Sequence, residues 1–217
     1  MRTSRRELLR WAAGLAGGLA TRGAWAENPA PLIVLQPLGA AMPGAEIAAV
    51  SEALTAFYRV RLQVADTVAL PKSAFYPQRQ RYRAERLLDF LAGMSSPGTK
   101  IVLGLTAVDI STTKGQVQDW GILGLATLDG RSAVLSSFRC KRGAKSAAHV
   151  RARFAKTAVH ELGHSFGIEH CTTPGCIMHD GEGSVLTTDG ESDLCAATRA
   201  RLASRGVLRD GAVSPFR

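Results

Sequence analysis

The 217-residue chain is short of three things, and each shortage narrows what it can be. No unbroken apolar run reaches the ~20 residues that a membrane-spanning helix needs. The nearest approach, Trp11 to Ala20, is short and interrupted by glycines, so no stable membrane anchor is expected. Aromatic residues amount to only 6%, and they are not interleaved with the basic clusters at Arg79 to Arg86 and Arg139 to Lys156 as a surface stacking single-stranded nucleic acid requires. Those clusters read as solvated helix faces, and no nucleic-acid partner is expected. Internal repeats and low-complexity tracts are also absent, and the length and composition suit one well-buried domain.

The first 26 residues stand apart from any fold. Ser4-Arg5-Arg6-Glu7-Leu8-Leu9, the apolar run and the small-x-small site Ala24-Trp25-Ala26 have the layout of a twin-arginine export signal cleaved after Ala26. A periplasmic or secreted bacterial location follows, and residues 27–217 form the mature domain. Without the five arginines and one acid of the signal, 22 basic and 17 acidic residues remain, a mild net charge of +5.

The mature chain alternates in element type. Pro31 to Leu38 reads as a buried strand, and Ile47, Val50, Leu54 and Phe57 recur at helical spacing after Gly44. Val60 to Val64 alternates as a second strand, so a crossover unit with parallel pairing is predicted. Beyond a loop bracketed by Pro71 and Pro77, Tyr82, Leu87, Leu88 and Leu91 predict a helix ending near Gly93. Lys100 to Thr106 is a third strand, with Asp109 just beyond it as either a functional residue or a turn cap. Gly121 to Leu128 and Ala133 to Phe138 predict a hairpin turned at Asp129-Gly130. A helix is predicted from about Ser146 to Phe166, then mostly loop from Cys171 to Asp193, then a last helix from about Ala196 to Ser204.

The chemistry concentrates in His160-Glu161-Leu162-Gly163-His164-Ser165-Phe166-Gly167-Ile168-Glu169-His170. Four residues apart on a helix, His160 and His164 share a face and can offer nitrogens to one cation. Gly167 can take the left-handed conformation that ends a helix, turning the chain so that His170 arrives as a third ligand. Three neutral donors leave a fourth tetrahedral position open, the pattern of a catalytic zinc. Glu161, next to the first ligand, is placed to activate a zinc-bound water as base without occupying a coordination site.

With Met178 downstream, the motif resembles the metzincin zinc metalloproteases. The run His170-Cys171, four residues, Cys176, Ile177, Met178 narrows the likeness to the archaemetzincins. The resemblance implies a mixed α/β fold of the zincin kind. A twisted mixed sheet packed with helices would form an upper lobe (about 27–167), with the active-site helix at its base and a lower lobe (about 168–217). Pro77-x-Arg79-x-x-Tyr82, Leu105-Thr106-x-x-Asp109 and Ser136-x-x-Arg139 are similar to family segments. The resemblance further implies a zinc-dependent peptidase acting on peptide or protein substrates, with Met178 in a supporting turn and substrate held by strand addition along either arm of the hairpin. His179 is a candidate proton donor or substrate contact. The reading from another class is an exported zinc- or peptide-binding protein with little turnover.

One departure from the family pattern concerns the cysteines. A second, structural zinc would take Cys171, Cys176, Cys195 and a fourth thiolate, but Thr198 stands where that thiolate belongs. His179 or Cys140 could supply the missing donor. In an oxidising compartment the four cysteines could instead form disulfides, with Cys171 to Cys176 and Cys140 to Cys195 as the leading pairing of the three possible. One catalytic zinc is therefore expected, a second is in doubt, and the oligomeric state is left open.

Overall fold

A computed structural model describes residues 29–40 and 42–216; the expected export signal lies outside the described residues. In chain order the elements are β1 (Leu32–Leu38), α1 (Gly44–Phe57), β2 (Arg61–Val64), β3 (Phe75–Tyr76), β4 (Arg81–Arg83), α2 (Ala84–Ala92) and β5 (Thr99–Thr106). They continue with β6 (Ile110–Lys114), β7 (Val117–Ile122), β8 (Gly124–Ala126), β9 (Ser132–Ser136), α3 (Ala147–Ser165), α4 (Val185–Gly190) and α5 (Ala196–Ser204).

Strands β2, β1, β5, β9 and β8 lie side by side in that order. The first four run parallel, and β8 closes the edge antiparallel to β9. The apolar strands β1, β5 and β9 are buried on both faces, as the middle of a parallel sheet must be. Their side chains divide by the two-residue period of a strand. Ile33, Leu35, Leu103, Leu105 and Leu135 enter the core shared with α1 and α3, whereas Leu38, Val102 and Val134 pack with Leu87 and Leu91 of α2. Gly104 is what lets α2 sit so close. A Cβ there would lie 2.6 Å from Leu91 Cδ1.

The β1–α1–β2 crossover and its parallel pairing form as the sequence predicts, and the predicted strand at 100–106 and last helix are found within a residue. Two details differ. Tyr82 belongs to β4, not to the helix; five residues before Leu87 it falls off the apolar stripe, and it pairs with Ile110 and packs on the Phe75 ring instead. The predicted first hairpin arm divides at Leu123: Gly121 and Ile122 close β7, and only Gly124–Ala126 pair with β9. A second four-stranded sheet, β3-β4-β6-β7, therefore exists beside the first. Its strands are short and polar, so alternating hydrophobicity does not reveal them.

The two sheets are tied together by Asp109, which neither caps a turn nor enters the cleft. Its buried carboxylate accepts hydrogen bonds from Arg81 Nε (2.7 Å), Arg139 Nε (2.7 Å) and Arg139 Nη2 (3.1 Å). Three segments noted separately in the sequence, around Arg81, Asp109 and Arg139, thus meet at one ionic node. The remaining bonds of Arg81 go to Asp119 of β7.

Candidate active site

Helix α3 runs beneath the principal sheet, capped at its start by Ser146 Oγ, which accepts from the His149 N–H (3.1 Å). It stops where the sequence says it should. Gly167 takes φ +74°, its N–H reaches the His164 carbonyl (2.7 Å), and the Ile168 N–H reaches Gly163 O (3.0 Å). The turned chain brings His170 back over the last turn.

The three Nε2 atoms converge: His160 to His164 is 3.0 Å, His164 to His170 is 3.1 Å and His160 to His170 is 3.2 Å. Backbone carbonyls fix two of the tautomers. His160 Nδ1 donates to Ile177 O (2.6 Å) and His164 Nδ1 to Ile168 O (2.7 Å), so each turns a lone pair inward from Nε2. Burial, reinforced by the neighbouring His164, pushes His160 down to about 3, and burial likewise lowers His164. Neutral imidazoles with lone pairs 3 Å apart repel unless a cation lies between them. The donor set therefore fits zinc with three nitrogen ligands.

Glu161 is almost fully buried beside this cluster, against β8. A Cβ on Gly124 would fall 2.5 Å from Glu161 Oε1, so glycine at that strand position makes room for the carboxylate. Burial alone pushes its carboxyl up to about 8. A dication nearby acts in the opposite sense and favours the ionised form that a base needs. Met178 is fully buried below the helix, and a Cβ on Gly163 would lie 2.6 Å from its Sδ. That close approach holds the Ile177–Met178 turn, and with it the carbonyl that orients His160. Tyr58, fully buried, donates from its hydroxyl to Val159 O (2.7 Å) and supports the same helix from α1's end.

The cysteines separate into three and one. Cys171, Cys176 and Cys195 have their sulfurs within 4.8 Å of one another. Thr198 Oγ1 lies 3.2 Å from Cys195 Sγ and 3.7 Å from Cys176 Sγ, in the place of a fourth ligand. Cys140 is buried elsewhere, its Sγ on Ser136 O (3.7 Å), and burial pushes its thiol up to about 12. Both expected bridges, Cys171 to Cys176 and Cys140 to Cys195, are corrected: all four cysteines are free thiols, and Cys140 sits in the turn Arg139–Lys141 after β9, whereas Cys195 directly precedes α5. Nor does Cys140 or His179 complete the cluster, since neither joins the group. Three thiols and a hydroxyl do not make a closed four-thiolate zinc site. The cluster does sit beneath the active site, with Cys171 N–H on Met178 O (2.9 Å) and Cys195 N–H on Cys176 Sγ (3.2 Å).

A cleft of about 500 Å³ opens in front of the histidines. Strand β8 and the loop carrying His179 and Asp180 both line it. Two pairs of residues were not legible in the sequence: Trp120 and Lys114 from the second sheet, and Glu191 with Thr188 from the region after Met178. Gly115, with φ +57°, is a turn signal that could have found the first pair. No local signal marks Glu191.

A mixed α/β fold with a three-histidine site ending a buried helix, a carboxylate beside it and an edge strand along its cleft defines a zinc metallopeptidase. The chain belongs to peptidase family M54, whose sequence model matches residues 50–201. Among its relatives, the archaemetzincin of Haloquadratum walsbyi is 33% identical over 154 residues, covering 68% of this chain and 85% of that protein. That of Pyrococcus abyssi is 31% identical over 188 residues, covering 82% and 97%. The crystal structure of archaemetzincin from Methanopyrus kandleri superposes with a TM-score of 0.71 at 28% identity, covering 86% of this chain and 98% of that one. The structure from Archaeoglobus fulgidus, complexed with malonate, gives 0.66 at 27%, covering 78% and 99%.

Proposed function

We propose that this chain is an exported peptidase in which Glu161 is the general base and an extended peptide binds along β8. The observation that carries the catalytic assignment is the contact between Glu161 and Gly124, which places the carboxylate between the histidine cluster and the edge strand. Among the described strands β8 pairs only with β9, so its outer edge has backbone groups to offer a substrate strand. His160, His164 and His170 would hold the zinc, which would supply Lewis acidity toward the substrate carbonyl and the attacking water. Glu161 accepts the proton of the attacking water and returns it to the departing amine. The carbonyls of Ile177 and Ile168 keep His160 and His164 in the tautomers that hold the metal.

The export reading rests on Arg5, Arg6 and the Ala24-Trp25-Ala26 site, and it places the mature enzyme in the periplasm or outside the cell. In that compartment Cys171, Cys176 and Cys195 fasten the loop under the active site, through their mutual contacts and those with Thr198.

The test of the base is Glu161→Gln, which keeps shape and all three ligands. Cleavage of a peptide pool should fall to below a few per cent of wild type while the zinc content stays near one per chain. Retained cleavage would remove Glu161 from the role.

A further inference from the structure

Beside the histidines the cleft continues inward along α3. Thr157, one helical turn before Glu161, lines it together with Thr188 and Glu191. Glu191 is 5% exposed. Its backbone is fully engaged, the N–H on Thr187 O (3.2 Å) and the carbonyl accepting from Lys156 Nζ. Its carboxylate is different. No described residue donates a hydrogen bond to it, and no ion pair within 4.0 Å neutralises it.

Lys156 is the obvious candidate partner and is otherwise committed. Its ammonium donates to the carbonyls of Thr188 (3.0 Å) and Glu191 and lies over the Phe216 ring, 5.5 Å from the centroid. The Glu191 carboxylate oxygens are not sealed from solvent, so water reaching them through the cleft can serve them, and an occupant that displaces that water must bring donors of its own. The threonine hydroxyls already donate to Arg153 O and Ser184 O, so what they present to an occupant is acceptor oxygen. With Glu191 ionised, the inner cleft is thus lined by acceptors alone. It rejects an anion and leaves an apolar side chain facing an unpaired carboxylate.

We propose that this inner cleft is a specificity pocket for a basic side chain, arginine or lysine, next to the scissile bond, with Glu191 as its receptor. The proposal rests on the peptidase reading for the word scissile, and on the pocket alone for the choice of cation. A guanidinium matches the site best, since its several donors can serve the carboxylate and the threonine oxygens together. Burial pushes Glu191 up to about 8 against the opposing pull of Lys156, and an arriving cation favours its ionised form.

The zinc-loaded mature enzyme should be given paired peptides that differ only in arginine or citrulline, its neutral isostere, at each position flanking the cut. At one position kcat/KM should favour arginine by at least about tenfold, the scale on which a buried charge pair discriminates. Glu191→Gln should bring that ratio to near one, and Glu191→Asp should keep a preference for arginine. Equal rates for the two peptides in the wild type, or an unchanged ratio in Glu191→Gln, would overturn the proposal while leaving the peptidase intact. Binding of the same peptides to zinc-loaded Glu161→Gln protein separates the two readings. Arginine-selective binding that Glu191→Gln abolishes, with no cleavage by the wild type, would keep the pocket and overturn the peptidase.

Discussion

Replacing Asp109 by alanine tests the claim that one buried carboxylate holds the two sheets in register. The loss leaves Arg139 and Arg81 facing each other, with side chains only 11% and 21% exposed. Breaking a buried pair costs roughly 3–5 kcal/mol. Arg81 keeps Asp119, at 3.0 Å, and both guanidiniums retain some contact with water, so the expected loss is about 2–3 kcal/mol. With a urea m-value of about 2 kcal/mol/M for a domain of this size, the unfolding midpoint should fall by ~1–1.5 M. The measurement needs fixed free zinc, because the metal stabilises only the folded chain. The double variant Asp109→Ala with Arg139→Met should recover part of the loss, on the order of 1 kcal/mol, since it removes one of the stranded charges. Zinc content should not change, because no histidine ligand touches the node. A midpoint shift below ~0.3 M, or a double variant no better than the sum of its parts, would refute the argument.

His164→Ala should lose the metal, since two imidazoles hold zinc far less well than three; a variant purified with one zinc per chain would mean that the site lies elsewhere. Asp189 is held below the usual carboxylate range first by its hydrogen bond to the buried Arg153 (2.7 Å) and also by His149. Its folded pKa is thus below its unfolded one, and the stabilisation is fully present above about pH 4 and lost as pH falls further. Asp189→Asn should cost about 1–2 kcal/mol at pH 7, and the gap from wild type should narrow below about pH 4; a gap that widens on acidification would contradict that sign. Changing Arg5 and Arg6 together to lysine should leave precursor in the cytoplasm on fractionation, and unimpaired export with a mature protein beginning at Glu27 would point to the general secretory route.

The ligand triad was legible because its geometry is local. Four-residue spacing on a helix and a glycine that can turn left-handed fix where His160, His164 and His170 go relative to one another, whatever the rest of the chain does. The buried strands β1 and β5 and the crossover through α1 were legible for the same reason, through the periods of their apolar residues. What tertiary structure alone decided are the meetings of distant residues. Arg81, Asp109 and Arg139 find each other only after the second sheet docks, and that sheet is built of strands too short and polar to announce themselves. Thr198 faces Cys176 and Cys195, and Cys140 stands apart from them, because α5 and the end of β9 come to rest at different places in the core. Glu191 is one acid among many in the sequence. It becomes a largely buried acid without a protein donor in the lining of a cleft only when the chain after Met178 folds back against α3 and Lys156 is drawn to backbone carbonyls. Periodicity encodes which face of an element is apolar, but burial and partnership of a polar group are set by what packs over it, and that is a property of the whole fold.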